Sequence, residues 1–116
     1  MSREAGARAE REAEDFLRGR GLRILARNFR TRFGEIDLVA QDGETVVFVE
    51  VRSRSSEAFG TAQETVTAAK RRRIIRTAMA YAQSRRLDAP LRFDVVALSP
   101  RGTLHIPAAF DATGAA

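Results

Sequence analysis

Apolar positions recur along this chain with two different periods. From about Glu4 to Arg18 they fall at Ala5, Ala9, Ala13, Phe16 and Leu17, one face of a helix. Gly19 and Gly21 end it. Leu22, Ile24 and Ala26 then alternate with arginines, the period of a strand over Leu22–Arg30. Two further strands flank Asp42-Gly43, which reads as a two-residue type I′ hairpin loop. Ser53–Gly60 is polar and predicts a loop. A second helix is expected from about Ala62 or Thr65 to Arg86, with Ile74, Ile75, Ala78, Met79 and Ala82 on its buried arc. Pro90 marks a loop, Leu91–Leu98 a strand, Pro100-Arg101-Gly102 a turn, and Thr103–Ile106 a short edge strand. Fraying is expected from Ala112 to Ala116. The order is α-β-β-β-α-β, without an internal repeat or a linker, so residues 1–116 read as one domain.

Closing the hairpin at Asp42-Gly43 fixes a register. It pairs Gln41 with Glu44, Val39 with Val46, Asp37 with Phe48, and Glu35 with Glu50. Directly paired residues share a face, and side chains alternate along each strand. Asp37, Glu50 and Arg52 therefore project from one face, the two acids as diagonal neighbours. The opposite face carries Ile36, Leu38, Val47, Val49 and Val51. Val39, Val46 and Phe48 share the acidic face, so both faces need cover. This predicts an α/β fold layered on both sides of the sheet.

Burying an ionised carboxylate is costly unless it is paired or binds a metal. Taken singly, Glu50 with Arg52 reads equally well as an ion-pair ladder, and Glu35 with Asp37 as a solvated strand entrance. Together they bring two or three carboxylates and a cation to one face between apolar residues. That set suits a hard divalent cation such as Mg²⁺, which takes oxygen ligands.

Composition narrows the function classes. At 116 residues the chain supports a single modest core. Its 44% hydrophobic and 30% charged content is that of a soluble globular protein. Without cysteine it forms no disulfide or thiolate metal site, and one histidine excludes a His-rich zinc site. No apolar run approaches a membrane span, and the charged, alanine-rich N-terminus is unlike a secretory signal. A cytoplasmic location without a membrane partner is expected.

The net charge of +5 suits an anionic partner. From Val66 to Leu87 there is no acidic residue, and Lys70, Arg72, Arg73 and Arg76 spread opposite the apolar arc. A solvated face is the ordinary meaning of such a run. The absence of compensating acids favours phosphate contact instead. Arg71 falls within the arc, as a snorkelling or a site-lining residue. With seven Phe, one Tyr and no Trp, a mode that tracks the backbone fits better than base stacking. Nucleic acid is the expected partner.

Asp37, followed by Glu50-Val51-Arg52 on the next strand, resembles the PD-(D/E)xK nuclease superfamily. The chain is similar, more closely, to the small YraN-like (UPF0102) family. The matching residues are Gly21-Leu22, Asn28-Phe29-Arg30, Gly34-Glu35-Ile36-Asp37-Leu38, Phe48-Val49-Glu50-Val51-Arg52, Phe59-Gly60, Lys70, Arg92-Phe93-Asp94-Val95-Val96 and Ala109-Phe110. The resemblance implies a restriction-endonuclease-like three-layer core with a mixed sheet. It also implies nucleic-acid binding and a Mg²⁺- or Mn²⁺-dependent endonuclease acting on phosphodiester bonds, branched DNA among its candidate substrates. Asp37, Glu50 and Arg52 take the catalytic positions. Asp37 and Glu50 are also metal ligands.

Glu10 and Glu12 flank the apolar face of the first helix equally. The resemblance selects Glu10, with Gly6 before it and Ala13 after it, as a further metal ligand. Related Holliday-junction-resolvase-like nucleases carry a metal-site Glu on this helix. Gln63 and Lys70 match positions that carry auxiliary polar residues in related nucleases.

One departure bears on the chemistry. The superfamily's pattern ends in Lys, where this chain has Arg52. Arginine clamps a phosphate but does not give up its proton. If the position needs only charge, Arg52 serves. If it needs a neutral amine, the chain is a non-catalytic binding module on the same fold. A third reading, a protein-interaction domain with structural ion pairs, leaves the convergence on one face unexplained. Symmetric cleavage of a junction would need a homodimer, for which the sequence carries no marker. Asp94 interrupts an apolar strand, and its simplest role is to pair with a nearby arginine. His105 reads as structural or surface.

Overall fold

The computed structural model describes residues 3–53 and 66–115, with side chains from Gly6 onward. In chain order the elements are α1 (Arg3–Gly19), β1 (Arg23–Thr31), β2 (Gly34–Asp42), β3 (Thr45–Ser53), α2 (Ala68–Ser84), β4 (Leu91–Ser99) and β5 (Gly102–Phe110). The strands form one sheet in the order β1-β2-β3-β4-β5. Only β3 and β4 run parallel. A parallel pair needs a long crossover, and α2 lies within it.

The helices cover opposite faces. Ala9, Ala13 and Leu17 of α1 pack on Leu38, Ala40, Val47, Val49 and Val96. Ile74, Ala78 and Tyr81 of α2 pack on Val39, Phe48, Phe93 and Val95. This mixed α/β layering is what the continuous apolar runs of β3 and β4 require. Among the described residues no helix is long and apolar enough to cross a membrane.

Both helix ends follow from local chemistry. Gly21 adopts φ +90° just past α1. Leu22 N–H donates to Leu17 O at 3.1 Å and Gly21 N–H to Arg18 O at 3.0 Å. That is a Schellman closure, with Leu17 and Leu22 in one apolar cluster. Thr67 caps α2, its Oγ1 accepting from Lys70 N–H at 3.2 Å. α2 therefore starts at Ala68 rather than at Ala62 or Thr65, because Val66 is buried in the core ahead of the cap. The expected loop through Gly60, with Phe59-Gly60 and Gln63, lies outside the described residues.

Several further expectations need correction. The hairpin turns at Gly43-Glu44, with Asp42 opposite Thr45 and Val39 opposite Phe48. Only the first loop position has positive φ, Gly43 at +61°, the type II′ pattern rather than I′. The register thus slips by two residues. Over the paired residues an even slip keeps each side chain on its face, while Asp37 and Glu50 lie past the last pair, Leu38–Val49, and so are not the diagonal ladder neighbours expected. Ile36 packs with Phe29 in the α2-side cluster, not with Leu38. Beyond Leu38–Val49, β2 pairs with β1 alone, and a two-stranded ribbon coils more strongly than a full sheet.

The buried arc of α2 is Ile74, Thr77, Ala78 and Tyr81, whereas Met79 is exposed. Thr77 tolerates burial because its hydroxyl donates to Arg73 O at 2.8 Å. Tyr81 sets its ring edge-on to Phe29 and Phe48. β5 extends four residues beyond Ile106, passing Pro107, which an edge strand accommodates. Within Ala112–Ala116, where fraying is expected, Ala115 O accepts from Asp111 N–H at 2.8 Å and closes a turn. Arg71 is held there, Nη1 donating to Gly114 O at 3.1 Å.

Asp94 is a structural hub. It is 1% exposed. Arg92 donates to it from Nε and Nη2, both at 2.9 Å. Ala108 N–H donates at 3.0 Å, and His105 Nε2 lies 2.8 Å away. The pairing with a nearby arginine and the structural reading of His105 both describe this cluster. Removing one member of a buried pair strands its partner, which costs about 3–5 kcal/mol. Asp94→Ala is therefore expected to lower unfolding free energy by that order in urea titration. Asp42→Ala, at the exposed end of the same arginine, should cost less than about 1 kcal/mol.

Candidate functional site

The site begins where a ladder ends. β2 and β3 are paired from Asp42–Thr45 to Leu38–Val49 and no further. Val51 N–H, past that point, donates to Asp37 Oδ2 at 2.8 Å. A side-chain carboxylate thus takes the place of a ladder carbonyl. The separation opens two adjoining cavities that share Gly6, Glu10 and Asp37. One, of about 430 Å³, is also lined by Ala7, Asn28, Arg30 and Glu35. The other, of about 210 Å³, is lined by Ala9, Glu50, Val51, Arg52 and Lys70.

Four elements supply the functional groups: Glu10 from α1, Asp37 from β2, Glu50 and Arg52 from β3, and Lys70 from the first turn of α2. Glu50 is 5% exposed. Its Oε1 lies 2.6 Å from Lys70 Nζ and 3.5 Å from Arg52 Nη1. Burial first, and then the neighbouring charge of Glu50, push the Asp37 carboxyl up to about 8. Glu10 is also pushed up, by burial and by the charges of Glu35 and Glu50 against the opposing bond from Asn28.

The expected site residues separate into two groups. Glu10, Asp37, Glu50 and Arg52 all line the second cavity. Lys70, expected on the outer surface with the arginines, lies inside it instead, because the Thr67 cap aims the first turn of α2 at β3. Arg72, Arg73 and Arg76 stay on the exposed side of α2.

Sequence reasoning misses Asn28. It stands in mid-strand at φ +52°. With its amide nitrogen turned toward the acids it donates to Glu10 Oε1 and Glu35 Oε1, each at 3.0 Å. Asn is a poor strand former that visits the left-handed region, which is the signal its position carries.

Asp37 and Glu50, with Glu10 at the rim, form an all-oxygen donor set of the kind Mg²⁺ and Mn²⁺ accept. An acid held protonated by burial and by another acid gains from a dication beside it, so the residues fit such a metal. Among the described residues no three acids or histidines are already drawn together around one point. Glu50 instead spends its charge on Lys70 and Arg52.

The model of the family described as "Uncharacterised protein family UPF0102" matches residues 9–98 of this chain. A UPF0102 protein of Nitrosospira multiformis is 51% identical over 94 residues, covering 81% of this chain and 79% of the relative. One from Symbiobacterium thermophilum is 52% identical over 101 residues, 86% of each chain. One from Anaeromyxobacter dehalogenans is 50% identical over 115 residues, covering 94% of this chain and 85% of the relative.

Between its ordinary 3.8 and about 8, folded Asp37 keeps a proton that the unfolded chain has released. Folding stability contributed by that proton is present at low pH and falls as pH rises through this window. Asp37→Asn removes the penalty. Its Tm at pH 8 should exceed that of the parent by at least the ~4 °C that 1 kcal/mol represents in a domain of this size. The two should converge near pH 4 in calorimetric scans.

Proposed function

The chain belongs to the UPF0102 family, and we propose that it is a nucleic-acid-binding, metal-dependent endonuclease whose scissile phosphate occupies the cleft beside Asp37 and Glu50. The observation that carries this reading is the forced proximity of those two acids, with Asp37 pushed up to about 8, beside the acid-free basic helix α2. An isolated pair of that kind is unfavourable, and perturbed acids in a cleft mark functional sites.

The chemistry a bound divalent cation supplies is polarisation of the phosphate and acidification of a water. Asp37 and Glu50 would hold it, with Glu10 completing the oxygen set. Asp37 must release its proton as the site loads. Lys70 and Arg52 neutralise charge that builds on the phosphate. Of the two, only Lys70 carries an amine, the group that Arg52 lacks. Arg72, Arg73 and Arg76 hold the backbone outside the cleft. The substrate is read as DNA, with branched forms included.

A second reading has an observation of its own. Glu50 is already neutralised by two cations, as befits a non-catalytic nucleic-acid-binding module that retains the fold.

Cleavage of linear, flapped and four-way-branched DNA and of RNA, in Mg²⁺, Mn²⁺ and EDTA, separates the two. Metal-dependent cutting is expected, lowered about 10²-fold or more in Asp37→Ala, Glu50→Ala and Lys70→Met, and retained in Arg52→Lys. Binding without cutting on every substrate would establish the module instead. Mn²⁺ titration in buffers of different ionisation enthalpy gives an independent readout. The parent should release about one proton per site at pH 7, and Asp37→Asn should release none.

A further inference from the structure

Beyond the cleft, the turn between β1 and β2 packs against α2 at Arg73 and Thr77. A Cβ on Gly34 would stand 3.4 Å from Arg73 Cβ and 3.4 Å from Thr77 Oγ1, so hairpin backbone and helix are in contact. Phe33, at the tip of the turn, gathers two guanidinium groups. The Arg32 carbon lies 5.0 Å from the ring centroid and that of Arg76 lies 5.3 Å away. Among the described residues no carboxylate lies within ion-pair distance of Arg32, Arg72, Arg73 or Arg76. Arg30, three residues before Phe33, is 74% exposed and pairs with Glu35 at 3.3 Å.

Like charges brought together without acids repel one another. The negative face of an aromatic ring offsets part of that cost, and an external polyanion offsets more. α2 alone carries part of this patch. The hairpin tip adds to it from a segment some forty residues earlier in the chain. Arg30, on the same strand end, also lines the larger cavity with Glu10 and Asp37, which places a basic residue between the tip and the cleft.

We infer that the β1–β2 tip and α2 form one phosphate-binding ridge, in which Arg32 and Arg76, spread on Phe33, hold the backbone of the strand that leads into the cleft. This rests on the nucleic-acid reading above. The partner is the sugar–phosphate backbone of DNA, contacted without base readout, because the tip presents guanidinium groups and a ring already occupied by them.

Each phosphate neutralised contributes about −0.9 to the slope of log affinity against log salt. Binding of labelled duplex and four-way DNA would be followed by anisotropy in EDTA across a salt series. The parent chain would be compared with Arg32→Gln/Arg76→Gln, with Arg32→Lys/Arg76→Lys, and with Arg20→Gln/Arg23→Gln, two exposed arginines before and at the far end of β1, as a charge-matched control. The glutamine pair is expected to flatten the slope by about 2. The lysine pair, which keeps the charges, should restore it, and the control should change it much less. An unchanged slope in the glutamine pair, beside a steep slope in the parent, would overturn the ridge alone. So would an equal loss in the control. A parent slope near zero would overturn the nucleic-acid reading itself.

Discussion

The premature end of the β2–β3 ladder governs this molecule. Up to Leu38–Val49 the strands satisfy each other's backbone. Past it, Val51 N–H would be left without a carbonyl, and an unpaired backbone group is costly away from water. Asp37 meets that need with its side chain. The same separation lets β1 and β2 coil away as a ribbon, carrying Phe29 and Ile36 toward α2 and opening the cavities that Glu10 and Glu50 face. One local geometry thus ties a structural hydrogen bond to the opening of the cleft.

Asp94 on β4 and Asp37 on β2, the strands either side of β3, illustrate how environment separates structure from chemistry. Asp94 receives hydrogen bonds from Arg92 and Ala108 and meets His105, so its charge is compensated on every side. Nothing remains for a ligand to improve. Asp37 receives one backbone hydrogen bond and faces two other acids. Its environment opposes ionisation, and a cation would relieve it. Glu50 lies between these cases, balanced by Lys70 and Arg52, which come from a different element and from two residues along its own strand. An ion exchanged into that balance changes the state of at least four charged groups at once.

The helices do more than cover the sheet. Glu14 of α1 accepts from Arg27 Nε of β1 at 2.8 Å and pairs with Arg18 at 2.7 Å. Hydrogen bonds from Arg27 hold its carboxyl below the usual range. That contact pins α1 over β1 one turn after Glu10, which fixes where Glu10 meets the cleft. On the other face, the Thr67 cap sets the phase of α2, turning Lys70 inward and Arg72, Arg73 and Arg76 outward.

Hydrophobic period, punctuated by turn residues, determined the order of elements and the two covered faces of the sheet. These are local properties, since alternation along a strand survives even the two-residue slip of the hairpin. Only the tertiary structure decided that Asp37 accepts from Val51 past the end of the ladder, that Ile36 crosses to the α2 side, and that Thr77 and Tyr81 rather than Met79 and Ala82 face the core. It also decided that Lys70 lies on Glu50, that Asn28 joins Glu10 to Glu35, and that Asp94 anchors Arg92 and His105. Each of those depends on the distance between side chains from different elements. Such distances follow from how a capped helix and a coiled ribbon pack against one sheet, which no period along the chain encodes.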